Sequence, residues 1–121
     1  MASPDLQPIL ADLVSSVPGS GGAIVLDADG AAVAQVPAVL PTDMSTISAH
    51  CSALLQETLA AAERLRQGPV TDILLEAERA SLALIPLGSG GCLCLLLQPD
   101  ASAGRGLYEA RRAALRLNDL R

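Results

Sequence analysis

Very few side chains in this sequence could make or break bonds. The chain has three Cys and a single His, and these set the limits of any thiol or metal chemistry. Cys92 and Cys94 are two apart in an apolar run, Cys92–Leu97, that reads as a strand. Alternate strand residues point the same way, so both thiols share one face. A metal site from Cys92, Cys94 and either His50 or Cys51 is one reading. Core packing is the other, and it is preferred. Cys is among the most buried residue types, and structural zinc normally takes four ligands, often from C-x₂-C pairs. Nucleophilic catalysis by Cys51 would need His50 as its base, but neighbours on a helix diverge by roughly 100°. No catalytic residue, metal ligand or cofactor site is therefore assigned.

Two glycine-rich stretches, Gly19-Ser20-Gly21-Gly22 and Gly88-Ser89-Gly90-Gly91, invite a phosphate-loop reading. Neither ends in Gly-Lys-Ser/Thr, and the chain has no Lys. Each precedes a strand, so the helix N-terminus that would hold an anion is missing. They read as turns. Asp27-Ala28-Asp29-Gly30 looks like the start of a calcium loop, but the closing Glu does not follow in register. Asp-Gly between apolar runs is a hairpin signal instead.

The elements around these residues follow from spacing. Leu6, Ile9, Leu10, Leu13, Val14 and Val17 form one helical stripe, with Asp5 placed as N-cap. Pro18 through Gly22 ends that helix. Ala23–Leu26 and Ala31–Val36 make a hairpin, and Pro37 through Pro41 a loop. A long helix follows, capped by Thr42 or Asp43. Met44, Ile47, Cys51, Leu54, Leu55, Thr58, Ala62 and Leu65 lie on its inner face, and Gly68-Pro69 closes it. Val70–Glu76, Ser81–Leu87 and Cys92–Leu97 form a three-strand meander. Cys92–Leu97 is apolar on both faces, as a central covered strand would be. A last helix runs from about Ala103 to Leu120, with Leu107, Ala110, Ala114 and Leu117 facing inward. Three helices over one small antiparallel sheet make an α+β sandwich, a single domain over residues 1–121.

Composition narrows the function classes. Half of the 121 residues are hydrophobic and 17% are charged, which excludes a disordered chain. Tyr108 is the only aromatic residue, so stacking platforms for bases are absent. The net charge of −5 argues against a phosphate-binding surface, and no nucleic-acid partner is expected. All eight basic residues are Arg, and five of them (Arg105, Arg111, Arg112, Arg116 and Arg121) fall in the last stretch beside only two acids. A solvated helix face is the simplest account of them. No apolar run is long enough to span a bilayer, and no secretory signal opens the chain, so neither membrane insertion nor export is expected. An odd number of Cys fits reduced thiols in the cytoplasm.

The long helix carries the remaining signal. Opposite its apolar stripe lie Ala49, Ala53, Gln56 and Ala60, at i, i+4, i+7 and i+11. A solvated face more often carries Glu, Lys or Arg throughout. Small side chains would let a second helix approach closely, although Ala also simply favours helix.

Taken in order, these segments resemble the roadblock/dynein light chain family in its bacterial branch. The resemblance rests on Val17-Pro18-Gly19-Ser20-Gly21-Gly22-Ala23-Ile24-Val25-Leu26-Asp27-Ala28-Asp29-Gly30, on Val33-Ala34, and on the long helix ending Leu65-Arg66-Gln67-Gly68. It continues through Ile73-Leu74-Leu75-Glu76, Leu82-Ala83-Leu84-Ile85-Pro86-Leu87 and Leu93-Cys94-Leu95-Leu96-Leu97. It implies a roadblock/longin-like, profilin-like fold: a five-stranded antiparallel sheet with the long helix on one face and the terminal helices on the other. It also implies a homodimer in which third strands pair edge to edge and long helices meet. That places Ala49, Ala53, Gln56 and Ala60, with Val70, Asp72, Leu74 and Glu76, at the interface. Such proteins are not enzymes by themselves; bacterial members regulate or scaffold small Ras-like GTPases in signalling and motility. The expected function is an adaptor that binds such a GTPase and modulates its nucleotide cycle or localisation. A purely structural scaffold dimer and a small thiol- or metal-dependent enzyme are the alternatives.

Overall fold

A computed structural model describes residues 5–37 and 44–120. In chain order its elements are α1 (Leu6–Ser16), β1 (Ser20–Leu26), β2 (Ala32–Val36), α2 (Met44–Leu65), β3 (Ile73–Glu76), β4 (Ser81–Pro86), β5 (Cys92–Leu97) and α3 (Ala103–Asn118). The strands form one antiparallel sheet in the order β2-β1-β5-β4-β3. The β1–β2 hairpin and the β3–β4–β5 meander are joined where β1 pairs β5. β2 and β3 are left as the two edges.

Period-two alternation sorts the core onto two faces. Leu93, Leu95 and Leu97 of β5 point to one side, where they meet Ile9, Leu10 and Leu13 of α1 and Ala110, Ala114 and Leu117 of α3. Cys92 and Cys94 point to the other, where they meet Cys51 and Leu55 of α2. β5 is thus covered on both sides, which explains its unbroken apolar sequence. Each fully buried Leu contributes about 1.5–3 kcal/mol of transfer free energy, so two aliphatic layers suffice without a core aromatic.

The hairpin turn is organised by Asp27. Its Oδ1 accepts from the backbone N–H of Asp29 at 2.9 Å and of Ala31 at 3.0 Å, and Gly30 adopts φ +87°. The carboxylate holds the turn, as the hairpin reading expects. The β4–β5 turn has the same form, with Leu87 N–H donating to Gly91 O at 2.9 Å. Asn118, at the end of α3, accepts from Gly88 N–H at 2.9 Å and so ties helix to turn.

Several boundaries differ from the sequence reading. β1 begins at Ser20, inside the stretch read as a turn. Its pairing with β5 shifts register between Ser20 and Gly22, where Gly21 leaves no room for a Cβ beside the Leu96 side chain. β3 is shorter than Val70–Glu76: the ladder starts at Ile73, so Val70 and Asp72 precede it. Asp72 instead forms an ion pair with Arg111 of α3. Leu65 does not face inward; it is 69% exposed at the end of α2, beyond the sheet. Arg66 takes a left-handed φ of +56° there, ahead of Gly68 at +101°, so α2 closes earlier than Gly68 alone implied. α3 ends at Asn118, and Ser102 caps its start by accepting from Arg105 N–H at 3.1 Å. Asp5 occupies the N-cap position of α1 without a side-chain cap bond. The proposed caps Thr42 and Asp43 lie outside the described residues.

Candidate interaction site

The thiols come together, but not as a reactive centre. The Sγ atoms of Cys92 and Cys94 are 3.7 Å apart, and Cys51 of α2 reaches the same spot. Hydrogen bonds to Cys51 and then Cys92, reinforced by burial, hold the Cys94 thiol well above the usual thiol range. Cys51 and Cys92 are lowered by their bonds to Cys94, against the opposing effect of burial. All three are free and buried, whereas reactive thiols need access and a stabilised thiolate. His50 is exposed on α2, roughly 100° round the helix from the buried Cys51. Among the described residues no group of three or more His, Cys, Asp or Glu side chains is arranged to hold a metal ion.

What the fold presents outward is more informative. Ala49, Ala53, Gln56 and Ala60 are all exposed on α2, opposite the buried Cys51 and Leu55. β3 is an open edge of the sheet. Ile73 of β3 packs into the cluster beneath α2, so the small-residue seam and the open edge lie on the same side of the molecule. Leu74 turns to the opposite cluster and is half-buried there. Glu76 is exposed at the end of the strand. Two large apolar side chains are left exposed here: Leu65, which the sequence reading placed on the inner face of α2, and Leu75 of β3. Leu65 is 69% exposed and Leu75 is 49% exposed. Leu75 pairs with Leu82, so it belongs to the α2 side of the sheet, but on the edge strand it stays half exposed. Alternation along β3 was the available signal: Ile73 and Leu75 share a face, and an edge position leaves one of them bare.

Between the end of α2 and β4 lies an open hollow of about 410 Å³, lined by Leu59, Ala62, Pro69, Val70 and Pro86 among others. Val70 therefore contributes to this surface from the connection before β3, not from the ladder. Unpaired strand edges and contiguous apolar patches are liabilities that proteins cover or use. No described helix is long and apolar enough to cross a membrane, so the exposed apolar side chains do not belong to a membrane-spanning helix.

The arginines of α3 are exposed but not idle. Arg111 pairs with Asp72, Arg116 with Asp12 of α1 at 3.1 Å, and Arg105 and Arg112 both with Glu109 at 3.4 and 3.6 Å. The expected solvated face is thus a set of ion pairs that also link α3 to α1 and to the β3 side.

Known proteins place this arrangement. The sequence pattern of the Roadblock/LC7 domain matches residues 6–97. No curated protein sequence matches the chain. The crystal structure of a Roadblock/LC7 domain from Streptomyces avermitilis superposes with a TM-score of 0.82 at 25% identity, covering 93% of this chain and 93% of that one. The gliding protein mglB from Thermus thermophilus superposes with a TM-score of 0.84 at 20% identity, covering 95% of this chain and 87% of that one. LokiProfilin1, solved in complex with rabbit actin, gives a TM-score of 0.70 at 20% identity over 98% of both chains. The sheet order, the long helix on one face and the terminal helices on the other agree with the sequence match, and the chain belongs to the Roadblock/LC7 domain family.

Proposed function

We propose that this chain is a non-catalytic homodimeric adaptor that binds a small Ras-like GTPase and modulates its nucleotide cycle or localisation in the bacterial cytoplasm. Family membership and the likeness to a gliding protein support the reading. The observation that carries it is the exposed seam of Ala49, Ala53, Gln56 and Ala60 beside the open edge at Leu74 and Leu75. A two-fold axis there would pair β3 with its copy, extend the sheet and bring the seams together. The same patch serves both subunits in such an arrangement.

The test uses the Ras-like GTPase encoded nearest this gene. Its GTP hydrolysis and nucleotide release are measured with and without the adaptor. A changed rate together with a stable complex supports the reading. Binding with unchanged rates supports a scaffold in its place. A monomer by light scattering at micromolar concentration, with no complex, overturns it.

A further inference from the structure

At one end of the sheet the β1–β2 and β4–β5 turns lie side by side, close enough that a Cβ on Gly90 would meet Ala28 Cβ at 3.3 Å. The start of α1 and the end of α3 meet these turns, and together they enclose an open cleft of about 210 Å³. Its walls are aliphatic: Leu6 of α1, Val33 of β2, Leu87 after β4, and Leu117 and Leu120 at the end of α3. Leu120 is 45% exposed, and Leu6, Val33 and Leu87 are only half-buried. No residue of α2 or β3 lines the cleft.

These walls are set before anything binds. Asp27 Oδ1 holds one turn through the N–H groups of Asp29 and Ala31. Asn118 Oδ1 ties the end of α3 to the other turn through Gly88 N–H at 2.9 Å. A pocket already in shape loses little freedom when it is filled. The charge at this end has one sign. Asp27 lines the cleft, and Asp29 in the adjoining turn and Asp119 beside Leu120 are exposed, neither of them in an ion pair among the described residues. Among the described residues no Arg lines the cleft or stands in its two turns. Arg116, the last described Arg of α3, is committed to Asp12. The groove between α1 and α3 beside Leu115 differs in this respect: there Asp12 and Glu109 balance Arg116 and Arg112.

We propose that this cleft docks a basic, amphipathic segment of a partner protein, with one aliphatic side chain against Leu6, Val33 and Leu120 and flanking arginines or lysines on Asp27, Asp29 and Asp119. Volume decides against a small-molecule site. The cleft is smaller than the ~300–1,000 Å³ usual for such ligands, but it suits a single anchoring side chain of the kind that dominates protein interfaces. Charge decides the sign of the flanks. The chain carries −5 overall, and this end adds carboxylates with no Arg among the described residues. A cationic partner is attracted both at long range and on contact, whereas nucleic acid, anionic lipid and acidic segments are repelled. A purely cationic ligand would leave the aliphatic walls in water. Because α2 and β3 take no part in the cleft, the proposal does not depend on the dimer.

The test is amide NMR of the intact protein titrated with a short synthetic peptide that carries one leucine between pairs of arginines. The same peptide with serine for leucine, the same peptide with glutamates for arginines, and spermidine are titrated in parallel. Saturable shifts on both turns and the end of α3 are expected. The leucine peptide should bind at least about tenfold more tightly than the serine peptide or spermidine, and more weakly as salt is raised. Asp29→Arg combined with Asp119→Arg, and separately Leu120→Ser, each weaken binding about fivefold or more. All three positions are exposed, and circular dichroism of the variants confirms the fold. The proposal is overturned by no saturable binding, by equal binding of the serine peptide or spermidine, by preference for the glutamate peptide, or by shifts confined to other surfaces. It is equally overturned by shifts that grow with protein concentration without peptide (a second copy in the cleft), or by binding that appears only once residues 1–4 are removed (the chain's own N-terminus in the cleft).

Discussion

Cys94 lies between two other thiols, out of water and beneath a helix, and its chemistry follows from that position. It packs as a small hydrophobe, so Cys94→Ala or Cys92→Ala leaves a small void and lowers stability by on the order of 1 kcal/mol. Partner binding is expected to survive either change; stoichiometric zinc in the native protein, lost in these variants, would contradict the packing role. The cluster also gives a pH dependence with a definite sign. Cys94 keeps its proton in the folded state above the range where an unfolded thiol, near pH ~8.5, has lost it. Its contribution is therefore complete below that range and lost as pH rises through it. Cys51 and Cys92 shift the other way, and their contribution grows as pH rises toward that range and is constant above it. Above it Cys94 alone sets the sign, so urea midpoints are expected to fall between about pH 8.5 and about pH 10, and a variant with all three Cys changed to Ala should lose the thiol share of that fall. Two glycines offer a contrast that needs no titration. A Cβ at Gly91 would stand 1.9 Å from Leu26 O, across the β1–β5 pairing, while at Gly104 it meets only Ser102 Oγ at 3.9 Å. Gly91→Ala should cost up to about 3 kcal/mol through overpacking. Gly104→Ala should stabilise by roughly 0.5 kcal/mol, because the unfolded chain has less freedom to lose. Thermal melts of the two variants check both signs.

At the scale of elements, β3 is the weakest-specified strand and the most consequential one. Only Ile73–Glu76 joins the ladder, and its outer edge is open. Leu74→Pro removes a backbone donor in the middle of that edge, which a paired strand tolerates poorly. Dimer affinity should fall, read as a concentration-dependent shift in sedimentation toward the monomer; an unchanged dimer would place the interface elsewhere. The helices were far easier to read from sequence than this strand. Ile9, Leu10 and Leu13 repeat at helical spacing, and all three are buried. Cys92–Leu97 was legible because being covered on both faces leaves no polar residue in the run. The start of β3 was not, because Val70 and Ile73 are equally apolar. What separates them is a long-range contact, Asp72 with Arg111 on α3, which no local pattern encodes. The same holds for Leu65, whose spacing fits the inner stripe although the sheet ends before it. For the interface candidates, the absence of bulk at Ala49, Ala53 and Ala60 was visible in sequence. The bare Leu75 and the cleft beside Leu120 needed the packing, since an apolar residue looks the same in sequence whether covered or open.

At the scale of the whole molecule, the sheet divides two surfaces with different chemistry. One carries a seam of small side chains along α2; the other is grooved and rich in paired arginines along α3. The first suits a second copy of the chain, which can bring only its own small side chains to the contact. Ala53 is the residue that tests this. It is exposed on the isolated chain, opposite Cys51 and Leu55. An Arg there costs the monomer almost nothing, since both residues favour helix. In a dimer whose long helices meet at this seam, backbones separated only by Ala approach near the short end of the usual ~8–10 Å. Two-fold symmetry then brings the two new guanidinium groups into one contact, where they collide and repel. Ala53→Arg is therefore expected to split or distort the dimer and to remove GTPase binding, while the helical circular dichroism stays unchanged. Sedimentation of the variant separates the outcomes. A monomer with native dichroism locates the interface on α2, whereas an unchanged dimer with intact partner binding means that the seam faces water and the subunits meet through another surface.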